Sequence, residues 1–164
     1  MVGLKFINLQ DIKRELDLNL ILLLVFSLVI GEAIINTDTG SLVARQMGNL
    51  LQPYGTVPVL VGVLLFTTLL SSFITNVGAI SIAFPLAYAI SNELKIDGTP
   101  LYLGIAYAAS AAFLTPIGYQ TNLIVYGPGG YNFRDFFKVG LPTTIIYLST
   151  VTIALVLMFP EILN

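Results

Sequence analysis

Residues 57–91 read VPVLVGVLLFTTLLSSFITNVGAISIAFPLAYAIS, 35 positions without one Asp, Glu, Lys or Arg. At a rise of about 1.5 Å per residue, one straight helix of that length would run about 50 Å, against a hydrocarbon core of roughly 30 Å. The stretch is therefore not a single crossing. Its centre is polar: Thr67, Thr68, Ser71, Ser72, Thr75 and Asn76 precede Gly78. Two short full spans are one reading, but 58–73 gives only about 24 Å and 79–91 only about 20 Å. The other is a re-entrant hairpin. Two half-length helices enter from one side, meet at Ile74-Thr75-Asn76-Val77-Gly78 near the midplane, and return. Non-helical backbone at that depth is tolerated only where protein or a water-filled cavity surrounds it. The expectation is the hairpin, with its tip a site rather than a lipid-facing turn.

The second interruption lies in 101–127, LYLGIAYAASAAFLTPIGYQTNLIVYG. Small residues dominate Gly104 to Ala112, a face that lets helix backbones approach closely inside a membrane. Pro116 then removes a backbone donor and clashes one turn back, and Gly118 loosens the chain. The reading is a discontinuous helix, 101–113 and 122–127, with an unwound turn between; a merely kinked span is the plainer alternative.

Around these two breaks the chain is built for a bilayer. It has 164 residues, 56% hydrophobic and 10% charged, with seven basic and nine acidic side chains. Soluble domains carry roughly 25% charged residues, so a water-soluble globule is nearly excluded. A net charge of -2 excludes nucleic acid as a partner. The absence of Cys and His removes thiol chemistry, His acid–base chemistry and zinc sites built on those ligands. Residues 18–36 make a full span, preceded by a polar cytoplasmic or interfacial stretch (1–17) that does not read as a secretory signal. Glu32 near the end of that span snorkels or faces the bundle interior as a structural group, with a functional carboxylate as the alternative. Residues 38–52 suit an amphipathic interfacial helix, stopped by Pro53 and Gly55. GPGGYNFRDFFKVG (127–140) reads as a loop without the Gly-Lys-Ser/Thr ending of a phosphate loop. Residues 140–159 form the last span. This arrangement puts Lys5, Lys13, Arg14, Arg134 and Lys138 on one side and Arg45 and Lys95 on the other. The first side is then cytoplasmic, with the N-terminus inside, the C-terminus outside and the chain in a cell membrane, expected to be a bacterial inner membrane.

Neither break contains a carboxylate to carry a proton. Unwound carbonyls with Ser, Thr and Asn oxygens suit a hard monovalent cation, and freed helix N-termini can face an anion. Sodium is therefore favoured over a proton as the coupling ion, and no organic cofactor is expected.

At Thr75-Asn76-Val77, with Ser71 and Pro85 flanking, and at Thr115-Pro116 followed by Thr121-Asn122-Leu-Ile-Val-Tyr-Gly127, the chain resembles the divalent anion:sodium symporters of the ion transporter superfamily. The bacterial anion permeases are the nearest type. The resemblance covers about Ile12 to Phe159. It implies an all-α integral membrane fold of full transmembrane helices, a re-entrant hairpin and a broken helix, forming one half of an inverted-repeat transporter. Thr75 and Asn76 match the family's Ser-Asn pair, and Val77 stands where Thr would be. The resemblance implies sodium ligands at Ser71, Ile74, Thr75, Asn76 and Thr115. It implies anion contacts at Thr75, Asn76, Val77, Pro116, Thr121 and Asn122. The insert Ile117-Gly118-Tyr119-Gln120 departs from the family's turn and, with Val77, tilts the expected anion from dicarboxylate toward sulfate. The chain is expected to be most of a second repeat that pairs with a missing N-terminal repeat or another subunit, and to form a homodimer in full-length form. Two other readings stand beside sodium symport: a proton-coupled or exchanging transporter of arsenite type, and a membrane scaffold or accessory subunit. A membrane enzyme would have to work with Glu32 and Asp38, which have no visible partner.

Overall fold

The computed structural model describes residues 39–163 and isolated positions between 22 and 37. The stretch 1–17 and most of the span read at 18–36 lie outside the described residues. Among the described residues the elements are all helical: α1 (Thr39–Leu51), α2 (Thr56–Phe73), α3 (Asn76–Leu94), α4 (Thr99–Ala109), α5 (Gln120–Tyr126) and α6 (Phe133–Met158), with short 3-10 turns at Gln52–Tyr54 and Pro160–Leu163. Helices α2, α3 and α6 are long and apolar enough to cross a membrane. The fold is all-α and membrane-embedded.

The chain breaks between α2 and α3 at two extended residues, Ile74 (φ -125°, ψ 177°) and Thr75 (φ -68°, ψ 153°). Thr75 caps α3, its Oγ1 accepting the Gly78 amide at 3.1 Å. The arms are longer than the sequence reading: 18 and 19 residues, or about 27 and 29 Å. Pro58 does not delay α2, because in the first turn its missing N–H costs nothing. At the other end α3 runs past Ser91 until Lys95, which closes it in the left-handed region at φ 55°.

The core packs α2 against α4 and α3, through Val59, Leu60, Val63 and Leu64 against Leu101 and Ile105. Helix α6 adds a buried stripe of Gly140, Thr144, Leu148, Val151 and Leu155. It begins at Phe133 rather than at 140, so residues 133–140 are not loop. Asn132 and Asp135 form a capping box there, with the Asn132 amide donating to Asp135 Oδ2 at 2.8 Å. The hairpin roots (Thr56, Leu94) meet Pro100 and Phe159 around a cavity of about 480 Å³. Helix α4 thus starts at the root and runs toward the tip, its 11 residues covering about 16 Å.

Helix α1 lies on α3, where Arg45 Nε sits 2.9 Å from Glu93 Oε1 with the arginine 64% exposed. Exposed pairs contribute little. Glu93→Gln is expected to shift unfolding in detergent by under about 1 kcal/mol; a larger loss would mean that this pair anchors α1.

Candidate functional site: the hairpin tip against the unwound segment

Four hydroxyls on α2 are buried: Thr67, Thr68, Ser71 and Ser72. Two bond within their own helix, Thr67 Oγ1 to the Val63 carbonyl and Ser72 Oγ to the Thr68 carbonyl, both at 2.8 Å. The other two reach across to α4. Thr68 Oγ1 donates to the Ala108 carbonyl at 3.2 Å, and Ser71 Oγ donates to the Ala109 carbonyl. The last carbonyls of any helix lack intrahelical donors. Here the Tyr107 and Ala108 carbonyls accept the Ser110 and Ala111 amides at 3.0 Å, Tyr147 Oη of α6 adds a donor to the Tyr107 carbonyl at 3.1 Å, and the Ala109 carbonyl takes its donor from Ser71. Helix α4 stops at Ala109, earlier than the residue-113 boundary read from the sequence, and α5 resumes at Gln120 rather than 122.

Ser71 Oγ also lies 2.9 Å from Asn76 Oδ1. A hydroxyl has one hydrogen, and both neighbours are acceptors. Three oxygens from α2, α3 and α4 therefore meet around a single proton, with Ser71 fully buried. No carboxylate is among them, and no group of three or more His, Cys, Asp or Glu forms a metal cluster among the described residues.

The unwound segment closes on the same place. Thr115 Oγ1 donates to the Ser72 carbonyl and accepts the Gly118 amide at 3.1 Å. A Cβ on Gly118 would sit 2.8 Å from the Ser71 carbonyl oxygen and 3.1 Å from Ser72 Cα, so only glycine lets the two backbones approach this closely. Asn122 Nδ2 donates to the carbonyls of Ala112 (3.0 Å) and Thr115 (3.1 Å).

The structure brings Ser71 and Asn76 together and places Thr115 against the adjacent backbone. Ile74 and Thr75 form the tip, with the Thr75 hydroxyl used as a cap. Val77 is half-buried on the first turn of α3, and Pro116 is buried in the unwound turn. Thr121 is exposed on α5 and makes no side-chain hydrogen bond among the described residues. The Ala109 carbonyl is the participant that sequence reasoning missed. Every residue has a carbonyl, and only the early end of α4 frees this one.

The family model described as the citrate transporter matches residues 1–164. The chain belongs to this family. Relatives of this citrate transporter family member include an uncharacterized transporter of Escherichia coli K12, YfbS, 30% identical over 140 residues, covering 85% of the chain and 23% of that protein. The probable sodium/sulfate cotransporter 3 of Chlamydomonas reinhardtii is 29% identical over 136 residues, 82% of the chain and 15% of that protein. Sodium/sulfate cotransporter 1 of the same alga is 41% identical over 88 residues, 54% of the chain and 10% of that protein. The chain spans less than a quarter of the length of each of these three. The resemblance to divalent anion:sodium symporters holds, and with three apolar helices it makes the chain a multi-pass membrane protein.

Proposed function

We propose that this chain forms the sodium-binding half of a secondary carrier for a small divalent anion, of the sulfate or dicarboxylate class, working by alternating access. The observation that carries the reading is the meeting of Ser71 Oγ, Asn76 Oδ1 and the Ala109 carbonyl oxygen around one proton. Neutral oxygens from broken helices are the ligands that carriers use for sodium. To accept a cation, Ser71 must turn its hydrogen away from both neighbours. Its own i−4 carbonyl, Thr67, is an acceptor of the kind that Thr67 and Ser72 already use. A cation held there would tie the two arms of the hairpin to the end of α4. Its charge, with the unpaired amides that open α3, would favour an anion beside Thr75, Asn76 and Val77.

The re-entrant hairpin rests on the polar, buried end of α2, since its arms of 18 and 19 residues are each long enough to cross. The end of α2 at Ser71 and Ser72 is buried under α4 and the unwound segment, as polar groups in a bilayer require, while Phe73, Ile74 and Thr75 at the turn itself are exposed. Arg45 and Lys95 lie toward the root, where Arg45 pairs with Glu93, and Arg134 and Lys138 start α6 at the opposite end. These four divide evenly, so the extracytoplasmic root rests on the sequence count that adds Lys5, Lys13 and Arg14 to the other side. The sulfate in the names of two relatives and the citrate in the family description bound the anion class.

The test is uptake of labelled sulfate, succinate and citrate into proteoliposomes under an inward sodium gradient, a potassium gradient or a proton gradient. Uptake that needs sodium, with sulfate preferred, is the expected result. Equal uptake under potassium, or uptake driven by protons alone, would overturn sodium coupling.

A further inference from the structure

We propose that Asn122 is a positioning residue that fastens the unwound segment and sets its distance from the Ser71 oxygens, without itself touching the anion. Both hydrogens of an Asn amide can be donated. Here Nδ2 reaches two carbonyls of the same loop, Ala112 at 3.0 Å and Thr115 at 3.1 Å. The clamp joins the first turn of α5 to the two sides of the bend that leads into Pro116. Such a bend would otherwise leave buried carbonyls without donors, since Ala112 and Thr115 are both buried and an unpaired buried polar group is costly.

The fastened loop is the part of the molecule that bears on the hairpin. Thr115 bonds the Ser72 carbonyl, and Gly118 packs against the Ser71 carbonyl and Ser72 Cα. A chain of direct contacts thus runs from the Asn122 amide through residues 112–118 to the backbone that carries Ser71. Releasing the clamp lets the loop relax from the tip and disperses the oxygens that Ser71, Asn76 and Ala109 hold together.

Two measurements test the clamp, and only one of them rests on the sodium-coupled reading above. The first is hydrogen exchange of the complete transporter in detergent. Asn122→Asp keeps the shape but cannot donate, and is expected to speed exchange of the amides from 110 to 119 by about tenfold or more, as loss of two hydrogen bonds implies. Unchanged exchange there would overturn the proposal whether or not the protein transports anything. The second is kinetic. The variant is expected to raise the sodium concentration for half-maximal uptake by about tenfold, with the ratio of KM for sulfate to KM for succinate unchanged. A changed anion ratio with sodium dependence intact would overturn it, because that is the signature of an anion ligand. Should Asn122→Asp fail to fold, Asn122→Ser carries the same two measurements with the same expected directions. Wild-type protein without sodium-dependent uptake would remove the sodium reading, and the exchange measurement would still decide the clamp.

Discussion

Gly140→Ala should cost this protein most of its folded fraction. A Cβ at that position would lie 2.1 Å from the Phe113 carbonyl oxygen, 2.7 Å from its carbon and 3.1 Å from Leu114 Cα. All three atoms are backbone, so no rotamer change relieves the clash. Overpacking a close interface costs about 1–3 kcal/mol and more where the backbone must move. The backbone that would move is the segment leading to Thr115, so the displacement reaches the hairpin tip. Thermal unfolding in detergent should show a sharply lower midpoint for Gly140→Ala. Gly127→Ala is the comparison: nothing lies within 4 Å of a Cβ there, its φ is -69°, and its midpoint should stay at the wild-type value. Equal midpoints for the two variants would mean that α6 does not rest on the unwound segment as described.

The two breaks were legible in the chain, this contact of α6 with the second break was not, and the reasons are physical. Length against bilayer thickness, with polar residues in the middle of 57–91, is enough to predict a break near Thr75. Pro116 and Gly118 announce the second break because one lacks a donor and the other a Cβ. The extent of each break is different. Ala111 and Ala112 are strong helix formers, yet the chain leaves the helix before them, with the Ser110 and Ala111 amides turning back to the Tyr107 and Ala108 carbonyls and Ser71 of a neighbouring helix taking the Ala109 carbonyl. Local propensity cannot foresee a donor supplied from 38 residues away in sequence. The start of α6 was readable, because Asn132 and Asp135 have capping-box spacing, but Gly129 and Gly130 beside them argue for a loop. The candidate site shows the same division. Ser71 and Asn76 carry their chemistry in side chains and were legible; the Ala109 carbonyl carries it in the backbone and was not.

Asn76→Ala should abolish the sodium requirement of uptake along with most of the uptake itself. The variant removes the α3 oxygen from the group around Ser71 and leaves the hydroxyl bonded to the Ala109 carbonyl alone. A hydrogen-bonding or ligand contact to a charged species is worth about 1.5–3 kcal/mol, which is roughly a tenfold to hundredfold loss. Ser71→Ala should do the same through the α2 oxygen. Because both would act on one bound ion, the double variant should be little worse than either single one; residues that share a ligand are not additive. Binding gives a second readout that needs no transport. Sodium at about a hundred times its dissociation constant should stabilise the wild type by about 2.7 kcal/mol, visible as a higher unfolding midpoint in sodium than in potassium. That difference should vanish in Asn76→Ala. If these oxygens serve only to hold helices together, as buried polar groups in membranes often do, the variant would instead lower the midpoint equally in both salts. In that case the sodium dependence of uptake would survive, and the tip of the hairpin would be packing rather than a site.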